Sequence, residues 1–299
     1  MSKPRRTGPP PPDGLVIVDK PAGLTSHDVV GRMRRIAGTR KVGHAGTLDP
    51  MATGVLVIGV EKATRLLGHL ALTEKTYEAT IRLGQTTVTD DAEGEVTATA
   101  SAAGVVREDL DKGIAALTGA IMQVPSKVSA IKVDGKRSYA RVREGEDVEL
   151  AARPVTVSRF DVHHVRHEGE LLDLDVTVTC SSGTYIRALA RDLGAGLGVG
   201  GHLTMLRRTA VGPYTIDRAR TLEQLEESFA VLPIADAAAA AFPRRDVTAE
   251  EARLVAHGGR LAAAGQEGGP VAVFGPDGAF LALVEEKNGQ AKPIAVFVG

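Results

Sequence analysis

An alternating stretch is the feature that most restricts the fold of this chain. From Leu172 to Cys180 every second residue is apolar, and the residues between them are Asp or Thr. Successive side chains of a strand point to opposite faces of a sheet, so a period of two predicts a half-buried β-strand. The segment 77–83 alternates in the same way and predicts a second strand.

Helical patterns lie between the strand patterns. Thr25 or Ser26 can cap a helix that carries an apolar stripe and ends at Gly38. Another helix is predicted after the strand 172–180, where Arg187 and Arg191 lie four residues apart and off the apolar stripe. Strands and helices are mixed without a repeating βαβ unit, so we predict an α+β fold.

The character of the sequence changes near both ends. Residues 1–12 are rich in proline and basic residues, which predicts a disordered tail. After about residue 220 come an alanine-rich segment and two strand-turn-strand patterns around the turns 276–278 and 287–289. We therefore predict a large domain at 13–232 and a small β-rich domain at 233–299.

Composition excludes several classes of protein. Hydrophobic residues make up 43% of the chain, enough for a substantial core, and no apolar run approaches the roughly 20 residues that span a membrane. The N-terminus lacks the apolar segment of a secretory signal. Cys180 is the single cysteine, which excludes an internal disulfide and a multi-cysteine metal site. We expect a cytoplasmic protein that does not bind membranes.

Charge is unevenly distributed although the net charge is only -1. Lys and Arg outnumber Asp and Glu by 11 to 5 in residues 1–70, by 6 to 1 in 127–143 and by 6 to 2 in 181–220. In 221–299 the acids lead by 11 to 6. Three basic segments are typical of a protein that binds a polyanion, but unevenly distributed surface charge is an equally good explanation.

The stretch GHAGTLDPMATG, residues 43–54, is the strongest candidate for chemistry. Its single acid, Asp49, lies among small residues that let a ligand approach the backbone, and Pro50 restricts its conformation. An ionised aspartate can be a nucleophile, a base or a metal ligand, but only His44 accompanies it, which argues against metal. A turn aspartate that caps the following residues remains the ordinary alternative.

Two other patterns argue against cofactors. The run GAGLGVGG at 194–201 is rich in glycine, but it follows a helical pattern rather than a strand, so it is not a dinucleotide loop. His163, His164 and His167 have no cysteine or acidic cluster beside them, so an exposed strand edge is a better interpretation than a metal site. We predict neither a cofactor nor a metal.

Several motifs together resemble one enzyme family. GHAGTLDPMATGVLVIGVEKATRLL resembles the signature loop of the TruB family of pseudouridine synthases. Further segments resemble the other motifs of that family, in the expected order from about residue 14 to about 220: VDKPAGLTSHDVV, KTYEATIRLGQTTVTDDAEGE, QVPSKVSAIKVDGKRSYARVREGEDVEL, ARPVTV and CSSGTYIRALARDLGAGLGVGGHLTMLRRTAVG. The resemblance implies a catalytic domain on a mixed, mainly antiparallel sheet with flanking helices, followed by a small PUA-like domain.

The resemblance also implies a reaction and its residues. It predicts isomerisation of uridine 55 in the T-loop of tRNA to pseudouridine, with the base flipped out of its stack. It makes Asp49 the nucleophile, gives it Arg187 as a permanent countercharge, and places the ring of Tyr77 on the uracil. It implies no cofactor, the T-arm of tRNA as partner, no required protein partner, and a monomer.

The remaining predicted contacts fall into two groups. His44 would fill the gap left by the flipped base, and the other members of the substrate-binding group are Gly43, Lys20, Tyr185 and Leu206. The candidates for contact with the RNA backbone are basic residues in and around the motifs. They are Arg32, Arg34, Arg35, Arg40, Lys41, Lys132, Lys136, Arg207 and Arg208.

Ordinary structural interpretations remain open for the same residues. Tyr77 and Leu206 fit a core, His44 fits a loop bonded to backbone, and Arg187 fits a surface pair with Asp192. Two other functions also remain open: an RNA-binding factor that folds tRNA without catalysis, and a guide-RNA-dependent pseudouridine synthase. The acidity of residues 235–299 predicts only a weak or local RNA contact there.

Overall fold

A computed structural model of the chain describes residues 11–126, 150–266 and 268–298, and the backbone of two short strands between the first two ranges. The strands, in chain order, are β1 (Gly14–Lys20), β2 (Val42–Ala45), β3 (Thr53–Val60), β4 (Lys75–Leu83), β5 (Gln85–Thr87), β6 (Val96–Thr99), β7 (Gly119–Gln123), β8 (Lys132–Val133), β9 (Lys136–Arg137), β10 (Arg153–Glu168), β11 (Leu171–Cys180), β12 (Gly201–Val211), β13 (Tyr214–Thr215), β14 (Leu232–Pro233), β15 (Arg244–Asp246), β16 (Leu261–Ala262), β17 (Pro270–Phe274), β18 (Phe280–Lys287) and β19 (Gln290–Val296).

The helices are fewer than the strands in the described part of the chain. They are α1 (Ser26–Ile36), α2 (Leu67–Leu70), α3 (Arg107–Ala116), α4 (Ile186–Gly196), α5 (Leu222–Glu227), α6 (Ile234–Ala241) and α7 (Ala249–Ala256), with 3₁₀ helices at Glu61–Leu66 and Ile216–Arg218. No helix among the described residues is long and apolar enough to cross a membrane.

The described residues form two compact units. Unit 1 contains residues 11–50, 54–72 and 211–298, and unit 2 contains residues 51–53 and the described part of 73–210. Unit 1 is therefore built from both ends of the sequence. The domain boundaries at residues 12 and 232 stay predictions.

Unit 1 contains the antiparallel strands β1, β2 and β3 and, separately from them, a smaller, five-stranded sheet. β3 pairs antiparallel with β1 along the full length of β1, and β2 pairs with the opposite edge of β3. The smaller sheet has the order β15-β17-β18-β19-β16 and is antiparallel except between β15 and β17. Leu15 and Val57 belong to the same buried cluster as Phe274 and Phe297. The predicted β-rich C-terminal part is confirmed, and its apolar face shares a core with β1 and β3.

Unit 2 contains a sheet in the order β12-β4-β11-β10-β7, antiparallel between β4 and β11, β11 and β10, and β10 and β7. The alternating side chains of β11 are buried at Leu172, Leu174 and Val176, as their period predicts. The α3 and α4 helices pack on each other, with Gly113 facing Leu193. The predicted α+β class, with a mainly antiparallel sheet and flanking helices, is confirmed.

Local capping explains the helix that precedes the candidate loop. Thr25 is the N-cap of α1, and its hydroxyl and the Asp28 carboxylate form a capping box. Gly38 follows the helix with a φ of +64°, a left-handed conformation that suits glycine. The chain from Glu61 to Leu70 is helical, as a 3₁₀ helix, Glu61–Leu66, followed by one α-helical turn. The Thr64 hydroxyl donates to the Glu61 carbonyl, which competes with regular α-helical bonding.

The glycine run at 194–201 allows two backbone segments to approach closely. A Cβ added to Gly194 would lie 2.1 Å from the carbonyl carbon of Gly200, and one added to Gly201 would lie 2.5 Å from the Ala190 carbonyl oxygen. These atoms are backbone and have little freedom to move aside. The run is therefore required for packing between the end of α4 and the start of β12.

Gly194→Ala should destabilise the protein strongly. We expect the free energy of unfolding to fall by about 3 kcal/mol, because the added methyl overlaps fixed backbone atoms. Gly196→Ala, at the last residue of the same helix, is the matched control: a Cβ there meets nothing within 4 Å. It should raise stability by up to about 1 kcal/mol, from helix propensity. Urea unfolding measures both, and equal shifts for the two variants would contradict the packing argument.

Candidate active site

The peptide group before Asp49 is held by one hydroxyl. Ser26, in the first turn of α1, accepts a hydrogen bond from the Leu48 N–H at 2.9 Å and donates one to the Leu48 carbonyl at 3.2 Å. Both residues are buried, and Ser26 is only 1% exposed. A single side chain thus satisfies both backbone groups of the residue that precedes the candidate nucleophile.

The peptide group after Pro50 is held from another direction. The Pro50 carbonyl accepts hydrogen bonds from the Gly23 N–H at 2.8 Å and from the Lys20 Nζ at 3.1 Å. The same ammonium donates to the carbonyls of Pro21 at 2.8 Å and Leu24 at 2.7 Å. Lys20 is fully buried, so its charge is compensated by these carbonyl dipoles. Asp49, half-buried, lies on a loop whose backbone is fixed on both sides.

His44 lies on β2 rather than in an irregular loop. Its Cα pairs with that of Ile58 on β3, and its ring meets the exposed His27 ring edge-on, with 5.7 Å between the centroids. A Cβ at Gly43 would lie 2.9 Å from Leu67 Cδ1, so this glycine is needed for close packing whatever else it does. β2 therefore presents His44 from a fixed strand position.

Arg187 forms a buried ion pair in unit 2. Its Nη1 lies 3.6 Å from Asp91 Oδ2, and the two side chains are 5% and 4% exposed. The same nitrogen donates to the Thr89 carbonyl at 3.0 Å. Asp91 is held in turn by the Thr89 hydroxyl and by the Glu93 N–H. The guanidinium is thereby oriented by the loop between β5 and β6, and Asp91 is a residue that the sequence analysis did not select.

A second Arg–Asp pair lies one helical turn away. Arg191 Nη1 lies 3.3 Å from Asp90 Oδ2, and Arg191 Nη2 donates to the Val124 carbonyl at 2.7 Å. Burial raises the pKa of the Asp90 carboxyl, although the charge of Arg191 favours its ionised form. Asp192, which the sequence offered as a surface partner for Arg187, pairs instead with Arg191 at 2.9 Å.

Gln123 fixes the residue at which α4 begins. The Gln123 Nε2 donates to the Tyr185 carbonyl at 3.1 Å, and its Oε1 accepts from the Tyr185 N–H at 2.8 Å. Tyr185 is the N-cap of α4, two residues before Arg187. The end of β7 therefore sets where the helix that carries the arginine starts.

Tyr77 and Leu206 are both buried side chains of strands in unit 2. Tyr77 lies on β4, where its Cα pairs with that of Val178. Lys75, two residues earlier on the same face, is also buried, and burial together with the positive charge of Arg208 lowers the pKa of its ammonium to about 8. Two neighbouring buried cations are costly for a fold, which makes this part of unit 2 a candidate for function.

Comparison with known proteins is consistent with these features. Residues 34–186 match the TruB family pseudouridylate synthase (N terminal domain), residues 187–238 match the tRNA pseudouridylate synthase B C-terminal domain, and residues 242–298 match the tRNA Pseudouridine synthase II, C terminal. The chain belongs to the TruB family.

Curated relatives match nearly the whole chain. The tRNA pseudouridine synthase B of Streptomyces griseus subsp. griseus is 69% identical over 291 residues, covering 96% of this chain and 97% of that protein. The protein of the same description from Mycobacteroides abscessus is 60% identical over 285 residues, covering 95% of each chain. The predicted TruB resemblance is confirmed, and the chain is an enzyme of the isomerase class.

Solved structures agree with the TruB assignment. A chain of a Cbf5-Nop10-Gar1 complex gives a TM-score of 0.74 at 28% identity, covering 95% of this chain and 85% of that chain. A chain of an H/ACA RNP bound to a substrate RNA that contains 2'-deoxyuridine gives a TM-score of 0.72 at 26% identity, covering 96% and 85%. The pseudouridine synthase fold is therefore shared with chains of these two complexes.

The basic residues predicted to contact RNA lie in different environments. Arg35, Arg40 and Lys41 are exposed, whereas Arg32 pairs with Glu226 at 2.8 Å. Arg34 is exposed and also donates to the Val42 carbonyl, and Arg207 donates to the Thr53 hydroxyl at 3.2 Å. The side chains of Lys132 and Lys136 lie outside the described residues.

Two predicted contacts need correction. Arg208 is 1% exposed and Lys20 is fully buried, so neither side chain lies on the surface of this TruB protein. The basic sequence pattern suggested surface charge, but β12 directs Arg208 inward, and β1 places the Lys20 ammonium on three carbonyls. We no longer count Arg208 among surface phosphate contacts or Lys20 among direct substrate contacts.

The histidines on β10 do not join a metal cluster in the described part of the chain. His163 is exposed, and its Nε2 lies 2.7 Å from the Thr177 hydroxyl. His164 and His167 are also exposed on the same strand. Within residues 11–126, 150–266 and 268–298, no three His, Cys, Asp or Glu side chains are grouped to hold a metal ion.

Proposed function

We propose that the protein isomerises uridine 55 in the T-loop of tRNA to pseudouridine. The observation that carries the proposal is the 60–69% identity, over nearly the full length of both chains, to proteins described as tRNA pseudouridine synthase B. The fixed loop around Asp49 supports it, because a nucleophile must approach its target in one defined geometry.

In the proposed reaction Asp49 is the nucleophile. Its carboxylate attacks the target nucleoside, and the bond between N1 of uracil and C1′ of ribose breaks. The uracil turns, C5 bonds to C1′, and the bond to Asp49 breaks. The proton on C5 leaves and N1 takes up a proton. Nothing is oxidised and no second substrate supplies a group, so the atoms balance without a cofactor.

The other proposed roles follow from chemistry and family membership. Arg187 supplies a permanent positive charge that favours the ionised form of the nucleophile. Tyr77 stacks on the uracil, Tyr185 and Leu206 line its pocket, and His44 fills the gap left by the flipped base.

Gly43 lets the RNA come close, and Lys20 holds the backbone after Asp49. Exposed Arg34, Arg35, Arg40 and Lys41 contact phosphates.

We also propose that the enzyme acts as a cytoplasmic monomer that needs neither a protein partner nor a guide RNA. The similarity to a chain of an H/ACA RNP bound to a substrate RNA keeps a guide-dependent synthase as the second candidate. The higher identity to proteins described as tRNA pseudouridine synthase B favours the independent enzyme.

Incubation of the purified protein with one unmodified tRNA transcript tests the proposal. We expect one pseudouridine, at position 55, without any other protein or RNA. A transcript with cytidine at that position is the control and should remain unmodified. Product that forms only after a guide RNA is added would support the second candidate. Binding without product would support a tRNA-folding factor instead.

A further inference from the structure

Ser26 has hydrogen bonds that its own helix does not require. The N-cap position of α1 is filled by Thr25, whose hydroxyl and the Asp28 carboxylate complete the capping box. The Ser26 hydroxyl instead bonds Leu48, 22 residues away in sequence, with one bond as acceptor and one as donor. Alanine at this position would stabilise the helix at least as well, because it has the highest helix propensity.

Leu48 depends on this hydroxyl because it lies outside any strand. β2 ends at Ala45 and β3 begins at Thr53, so residue 48 has no partner in a ladder. Leu48 is buried, and a buried N–H and carbonyl must be satisfied. The Ser26 hydroxyl therefore supplies the two backbone hydrogen bonds that a neighbouring strand would otherwise supply to Leu48.

We propose that Ser26 is a positioning residue for the Asp49 carboxylate. It fixes the peptide that leads into Asp49, while the Gly23 N–H and the Lys20 ammonium fix the carbonyl of Pro50. With the backbone held on both sides, only rotation about the side-chain bonds of Asp49 can turn the carboxylate away from the direction in which it attacks. The inference rests on the proposed role of Asp49 as nucleophile.

Ser26→Ala tests the inference. It removes both bonds to Leu48 and leaves the carboxylate of Asp49 chemically unchanged. We expect the single-turnover rate of pseudouridine formation, at saturating enzyme, to fall about 10- to 100-fold, the size of effect that a small misplacement of a reacting group produces. The Kd for tRNA should change less than threefold, because no proposed RNA contact is altered.

Thr25→Ala is the matched control. It removes the cap of the same helix and so lowers the melting temperature, but it leaves both bonds to Leu48 intact. We expect its single-turnover rate to stay within twofold of the parent. The inference is overturned if Ser26→Ala also stays within twofold, or if Thr25→Ala loses as much rate as Ser26→Ala at a similar melting temperature.

Two further variants keep the outcomes distinct. Ser26→Cys replaces the hydroxyl with a thiol, a weaker donor on a side chain of similar shape, and carries the test if Ser26→Ala does not fold. It should be several-fold slower than the parent, and a rate equal to the parent would overturn the inference.

Asp49→Asn tests the underlying role of Asp49. If that variant remains active, the assignment of Asp49 as the nucleophile is wrong whatever the Ser26 variants do.

Discussion

Asp49→Asn is expected to abolish pseudouridine formation while tRNA binding remains. An amide cannot attack as a carboxylate does, and loss of a catalytic nucleophile costs at least about 10⁴-fold in rate. The loop should keep its shape, because Ser26, Gly23 and Lys20 bond to the backbone of the flanking residues. Release of tritium from tRNA labelled at C5 of uridine measures the rate, and filter binding measures the Kd.

Asp236→Asn is the matched control for this prediction. It removes the same negative charge from an exposed position in the first turn of α6. Any general effect of charge on RNA binding should be similar in the two variants, whereas only Asp49→Asn should lose the reaction. An Asp49→Asn enzyme that still released tritium at the parental rate would show that another group attacks the nucleoside.

Asp91→Ala is expected to have the largest effect on stability among single substitutions at the candidate site. It leaves the Arg187 guanidinium buried without this carboxylate and removes the bonds that Asp91 makes to the Thr89 hydroxyl and the Glu93 N–H. Breaking a buried pair from one side costs about 3–5 kcal/mol, because the remaining charge keeps its desolvation penalty. Urea unfolding measures the loss.

An exposed pair in unit 2 provides the comparison for Asp91. Arg107 and Asp111 form an i,i+4 pair on α3 at 2.8 Å, with side chains 68% and 56% exposed. Asp111→Ala should cost no more than about 0.5 kcal/mol, since water already solvates both charges. A loss below about 1 kcal/mol for Asp91→Ala would mean that Arg187 is solvated or neutralised by other groups.

Local periodicity and capping were sufficient to predict much of the fold. The alternation at 172–180 predicted β11, and the residues Thr25 and Gly38 predicted the limits of α1 to within two residues. These patterns depend on neighbouring residues, which the sequence displays directly. The sequence does not distinguish the 3₁₀ helix at Glu61–Leu66 from an α-helix, because a 3₁₀ turn and an α-turn place apolar residues at nearly the same spacing.

Long-range pairs in the candidate site could not be read in the same way. The segment 86–95 is polar and has no periodic pattern, yet its consecutive acids, Asp90 and Asp91, face Arg191 and Arg187. The spacing of four between these arginines was visible, but nothing local indicated which acids would meet them. The role of Ser26 was hidden for the same reason, because its partner lies 22 residues away.

The discontinuous course of unit 1 has a consequence for its synthesis on the ribosome. Its buried cluster needs Leu15 and Val57 from the first 72 residues and Phe280 and Phe297 from the last strands. Between them the ribosome must add unit 2, which takes on the order of ten seconds at ordinary elongation rates. During that interval the emerging β1 and β3 expose apolar side chains. The nascent chain should therefore depend on chaperone protection until translation is nearly finished.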